Sequence, residues 1–222
     1  NNNGKLRGYK YFVLTKDIYL NDITDSKWYE STNVIPWTSI GLENGPAFGC
    51  NFDGFGFTIY GIYINESEKN CCGLFGYTNS AIIKNLKISD SYICGQNNVG
   101  AIIGQGQTTT ISNCQSNAIV IGENNVGGIA GLDNAGTYEY CANYGTATGK
   151  ESIAGIVGML YYGKFGASYT VSSSYNEGKI SGARNVGGIV GAVSNVDTAD
   201  TIVINCYNSG PITGLEHSIG GI

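Results

Sequence analysis

Three groups of side chains in this sequence could do chemistry. Seven cysteines, Cys50, Cys71, Cys72, Cys94, Cys114, Cys141 and Cys206, could act as nucleophiles, metal ligands or disulfide partners. Carboxylates gather at Asp17, Asp22 and Asp25 and again at Asp197 and Asp200. Paired carboxylates can hydrolyse glycosides or bind calcium. Aromatic rings crowd Tyr161, Tyr162, Phe165 and Tyr169. Rings beside carboxylates can grip a sugar or a peptide.

Most of this chemistry lacks its usual companions. The one histidine is His217, and no motif ties a serine or cysteine to it as a triad requires. Cys-x-x-Cys is absent, so zinc-ligand spacing is missing, and so is His-Glu-x-x-His. The Asp17, Asp22, Asp25 group lacks the Asp-x-Asp-x-Asp-Gly loop of a calcium site. Gly54-Phe-Gly56 has no following Lys-Ser/Thr, so its glycines read as a turn rather than a phosphate loop. Neither carboxylate set recurs as a catalytic row. The expectation is a non-enzyme, with no catalytic residue, metal or cofactor.

Composition narrows the partners. The 222 residues hold 34 glycines and only 3 prolines, with 42% hydrophobic residues. A helical bundle would not tolerate that glycine density, because each interior glycine costs roughly 1 kcal/mol against alanine. Twelve basic against 17 acidic residues give a net charge of −5, without the basic stripe that nucleic-acid binding needs. No apolar run approaches the roughly 20 residues of a membrane span. Neither nucleic acid nor membrane insertion is expected.

The elements that would position these residues are repeats. Asn98-Val-Gly-Ala-Ile-Ile-Gly104, Asn125-Val-Gly-Gly-Ile-Ala-Gly131, Ser152-Ile-Ala-Gly-Ile-Val-Gly158 and Asn185-Val-Gly-Gly-Ile-Val-Gly191 are copies of one unit. Asn70-Cys-Cys-Gly-Leu-Phe-Gly76 precedes them and Ser218-Ile-Gly-Gly-Ile222 follows, cut short. The column Leu74, Ile102, Ile129, Ile156, Ile189, Ile222 is spaced by 28, 27, 27, 33 and 33 residues. A second column runs Leu86, Cys114, Cys141, Ser174, Cys206, and a third is glycine at 95, 122, 149, 182 and 214. Short β-branched runs alternate between the glycines with no helical period. A unit of this length holds about three short strands, which must stack on neighbouring units to bury anything. A propeller blade needs about 40 residues. The reading is all-β: a parallel β-helix of about five to six coils with an irregular N-terminal cap.

The columns then acquire roles. Aliphatic and cysteine columns point inward, the cysteines as buried reduced thiols; a Cys114–Cys141 disulfide is the alternative. Asn98, Asn125 and Asn185 form one asparagine ladder, and Asn143, Asn176 and Asn208 another. Tyr175 and Tyr207 each follow the inward column by one residue, so alternation turns them outward, stacked one coil apart. From the last glycine of each unit to the cysteine column there are 10 residues in three early coils, then 16 and 15. Those two long loops make Tyr161, Tyr162, Phe165, Tyr169, Asp197 and Asp200 the candidate ligand-binding residues, since solenoid insertions map to one face.

Gly-Leu-Phe-Gly and Val-Gly-Gly-Ile-Val-Gly, each followed by Asn-Cys and Asn-x-Gly, resemble the GLUG repeat family. The resemblance covers nearly the whole chain. It implies a bacterial surface or adhesin-like β-solenoid, or the non-catalytic part of an IgA-cleaving metallopeptidase. Residues 1–70 would be the cap and 71–222 the coils, which break off inside a sixth copy and would continue in the natural protein. The implied function is a non-catalytic extracellular module, secreted or attached to the cell surface, serving as a stalk or binding a host glycan or host protein. Further repeats or domains of the same polypeptide would be its other partners. A carbohydrate-active β-helix enzyme and an accessory region of a secreted peptidase are the alternatives.

Overall fold

The structure, a computed structural model, describes residues 10–161, 169–194 and 201–222. Among them the strands form four ladders of 7, 11, 5 and 5 strands. The chain visits each ladder once per turn: Ile82–Lys84, Lys87–Cys94, Asn97–Gly100, Ile103–Gln107, then Thr110–Ser112 back on the first. Successive turns pair in parallel, as in Thr110↔Ile82 and Thr110↔Thr137. A strand that always meets its equivalent one turn later in parallel is a solenoid. The chain is therefore a parallel β-solenoid, as its repeats predict.

Alternation sends one face of every wall into a common core. Val99, Val126, Ile153 and Val186 stack on one another, as do Ile102, Ile129, Ile156 and Ile189, all essentially sealed from water. Ile222, the last of that column, is 62% exposed at the open end.

The corners explain the repeated polar residues. Asn98, Asn125, Ser152, Asn185 and Ser218 take positive φ between 52° and 60°, a region short polar side chains tolerate best after glycine. The Asn125 Nδ2 donates to Asn98 Oδ1 at 2.8 Å, one coil to the next. The second ladder is different: Asn143 and Asn176 are fully buried and lie outside the left-handed region. The Asn143 amide donates to Asn176 Oδ1 at 2.7 Å, and Asn176 to Asn208 Oδ1 at 2.6 Å. Glycine is required beneath it, since a Cβ on Gly128 or Gly155 would run into Asn143 or Asn176.

The segment expected to cap the coils also belongs to them. Tyr11–Val13 and Asn51–Asp53 extend the first wall, and Ile18–Tyr19, Thr58–Tyr60 and Tyr63–Asn65 the second. Residues between these strands pack on Leu74 and Phe75. Phe48 packs on Phe75 with ring centroids 4.4 Å apart, and Trp37 Nε1 donates to the Leu74 carbonyl. The ladders thus begin well before residue 70, and the irregular stretch within pairs in parallel with Phe75 and Thr78 through Ile40 and Phe48.

Candidate functional site

The long-loop face falls only partly within the described residues. Tyr161 ends the strand Val157–Tyr161 and is 46% exposed. Tyr162, Phe165, Asp197 and Asp200 lie outside the described residues. Tyr169 departs from expectation: it is fully buried and cannot offer a flat face to a ligand. It stands two residues before the inward Val171 on the same strand, so alternation sends it into the core.

The cap carboxylates serve the backbone. Asp17 accepts the Thr58 amide at 2.8 Å, Asp22 both groups of Thr24, and Asp25 the Lys27 amide. Among the described residues no three His, Cys, Asp or Glu side chains converge. All seven cysteines are reduced, with no disulfide among them. Cys114 and Cys141 are sealed in the core, where burial pushes the Cys141 thiol up to about 12 and Cys114 well above its usual value. Each points at the carbonyl two residues back, Ser112 at 3.3 Å and Glu139 at 3.5 Å. Ser174, which interrupts the column, does the same to Ser172 at 2.8 Å. A serine fits there because the position wants a short donor.

The second wall carries a more complete constellation on its outer face. One column reads Tyr19, Tyr60, Ser89, Asn117 by strand register, and Tyr144 continues it, its amide bonding the Ser116 carbonyl. The neighbouring column reads Thr58, Lys87, Gln115, Ala142, Tyr175, Tyr207. Tyrosines therefore stand at both ends, with small and polar side chains between them. Tyr19 stacks on Tyr60 at 4.6 Å and 7°, and Tyr175 on Tyr207 at 5.0 Å and 3°, the outward stack the sequence predicts. The hydroxyls of Tyr144 and Tyr175 are hydrogen-bonded to each other. That bond, ahead of burial, pushes the Tyr144 phenol up to about 12.

Between the two aromatic ends lies a shallow depression of about 250 Å³ lined by Tyr60, Lys87, Ser89, Gln115, Asn117 and Tyr144, among others. Asn117 also lines an adjoining hollow of about 180 Å³ with Trp28, Tyr29 and Asp90. Sequence reasoning found Tyr175 and Tyr207 but missed this floor. The signal was available: Tyr60, Ser89, Asn117 and Tyr144 are spaced 29, 28 and 27 residues, the coil period itself. Treating residues 1–70 as a cap left Tyr60 out of register with the rest.

No protein-family model matches the chain. The crystal structure of a protein assigned provisionally as an immunoglobulin A1 protease, from Bacteroides ovatus, superposes with a TM-score of 0.65. The match covers 97% of this chain and 73% of that one, at 21% identity. That likeness is one of fold. In sequence, 99 residues are 28% identical to halomucin of Haloquadratum walsbyi, 44% of this chain. The matched stretch amounts to 1% of halomucin's length.

Proposed function

We propose that this chain is a non-catalytic, adhesin-like module of an extracellular bacterial surface protein, built as a rigid stalk that also presents a contact face. The observation that carries the reading is where the repeated polar residues spend their hydrogen bonds. Asn97 bonds Asn124, Asn98 bonds Asn125, and Asn143, Asn176 and Asn208 bond in series. Ion pairs follow the same direction, Glu123 to Lys150 and Glu151 to Arg184. Every such bond ties one coil to the next, so the repeat is spent on length and stiffness.

Two likenesses support a place outside the cell. One is to halomucin and the other to a protein provisionally assigned as an immunoglobulin A1 protease, names that fit work on mucosal or outer surfaces. The GLUG-like repeats fit the same setting. The likeness in fold also favours a second reading, an accessory region of a secreted peptidase. Brief protease treatment of intact source cells, followed by peptide identification, tests the location. Peptides of this chain should be released before lysis; recovery only after lysis would overturn the reading.

A further inference from the structure

We propose that the floor between the two tyrosine ends of the second wall binds an uncharged oligosaccharide laid along the solenoid axis. This rests on reading the chain as a surface contact module, and it moves the contact from the long loops to the wall. Three rung spacings of about 4.8 Å put Tyr60 and Tyr144 about 14 Å apart along the axis. That is room for a short chain of sugar rings, not for a folded protein domain. The tyrosines supply flat apolar faces with a polar tip, which cost little side-chain entropy on binding. Between them Ser89, Gln115 and Asn117 offer hydroxyl and amide groups, both donors and acceptors, as a polyol requires. Asn117 and Tyr144 are exposed and Gln115 half-exposed, so these groups face solvent.

Charge selects the class of sugar. Among the described residues Lys87 is the one cation lining the floor. Carboxylates stand next to three of the floor's lining residues: Asp17 bonded to the Thr58 amide, Asp90 bonded to the Ser89 hydroxyl, and Glu177 beside Tyr144. The floor therefore has no net positive field to draw a uronate or sialylated chain. Among the described residues no cluster of exposed aliphatic side chains lines it, as an apolar peptide groove would require. What it matches is alternating apolar faces and hydroxyl edges without charge.

The test uses the 222-residue chain and calorimetric titration with linear neutral hexasaccharides of glucose, mannose, galactose and N-acetylglucosamine, with hexagalacturonate as the acidic comparator. At least one neutral chain should bind saturably. Tyr60→Ala and Tyr144→Ala should each weaken it about tenfold, the scale of losing one buried aromatic contact. Tyr144→Phe should retain most of it, which separates loss of a ring from loss of fold. Tyr161→Ala should leave it unchanged, as should about 0.5 M salt. The proposal is overturned if no neutral chain binds, if Tyr60→Ala and Tyr144→Ala bind like the parent, or if hexagalacturonate is preferred and lost with Lys87→Ala. Failure here would leave surface release by protease untouched, and failure of surface release would leave this binding untouched, so the two readings fall separately.

Discussion

The Tyr138 hydroxyl donates to Asp133 Oδ2 at 2.7 Å, and both side chains are fully buried. An aspartate inside an aliphatic core is unusual, and its room comes from neighbouring coils. Asp133 stands in register with Gly106, where a Cβ would press on the carboxyl group, and Gly136 leaves the same space open. Removal from water pushes the Asp133 carboxyl up to about 7, against the lowering effect of Tyr138 and of the Asn134 and Thr109 amides. The folded chain holds a proton there that the unfolded chain gives up near 3.8.

This makes stability depend on pH. Asp133 contributes fully below about pH 4, and the contribution is lost as pH rises toward about 7, because only the unfolded chain has released the proton in that window. The change is on the order of 4 kcal/mol. Thermal melts should show the parent less stable at about pH 7.5 than at about pH 4.5. Asp133→Asn should flatten the curve across this window. An equal slope in the variant would place the effect elsewhere.

Asn176 is the middle rung of the buried amide ladder, accepting from Asn143 and donating to Asn208 and to the Gly178 carbonyl. Replacing it with alanine orphans one N–H of the Asn143 amide, whose other N–H keeps the Gly145 carbonyl, and leaves a void in the core. Unsatisfied buried groups cost about 1–3 kcal/mol each, so Asn176→Ala should lose about 3 kcal/mol in urea unfolding. Asn208→Ala, nearer the open end and half-buried, should lose markedly less. Equal losses would mean that the ladder adds nothing beyond packing.

The coils were legible because their signal is redundant. Ile129 repeats Ile102, Cys141 repeats Cys114 and Gly149 repeats Gly122, so three columns fix one period. The burial of Cys114 and the outward stack of Tyr175 on Tyr207 followed from alternation alone. Tyr169 shows the limit. Its surroundings in sequence suggested a binding loop, but its orientation depends on where the strand resumes, and the loop length hides that. The floor between Tyr60 and Tyr144 was hidden for another reason. Its walls come from an irregular coil and a regular one, and only the three-dimensional register Tyr60, Ser89, Asn117 aligns them.

The cysteines should respond to alkali in a predictable direction. Burial raises the thiols of Cys71, Cys72, Cys114 and Cys141 above their ordinary value of 9.0. Their contribution is intact below pH 9 and is lost as pH climbs from 9 toward about 12, since the unfolded chain ionises first. At about pH 8 an aromatic disulfide reagent should modify Cys94 and Cys206 first, the two that are not buried. All seven should react once the chain is denatured without reductant. Two or more thiols missing from that count would indicate a disulfide.

The amide ladder stops at Ser116, and the reason makes a reciprocal prediction. Ser116 shares a register with Asn143, yet its buried hydroxyl has no hydrogen-bond partner among the described residues. In the later coils a glycine faces each asparagine, Gly128 for Asn143, Gly155 for Asn176 and Gly188 for Asn208. The equivalent position in the earlier coil is Ala101. Its methyl occupies the space that an amide would need, so the pair Ala101 and Ser116 replaces Gly and Asn together. Ser116→Asn alone should overpack the core and cost about 1–3 kcal/mol. Ala101→Gly alone should cost a smaller amount through the lost methyl and added chain freedom. The double variant should extend the ladder by one rung, its introduced side-chain amide donating to Asn143 Oδ1 as Asn143 donates to Asn176. It should be more stable than the two losses summed by at least about 1 kcal/mol. A double-mutant cycle in urea measures this directly. Simple additivity would show that the methyl of Ala101 does not block the amide and that the ladder ends at Ser116 for some other cause.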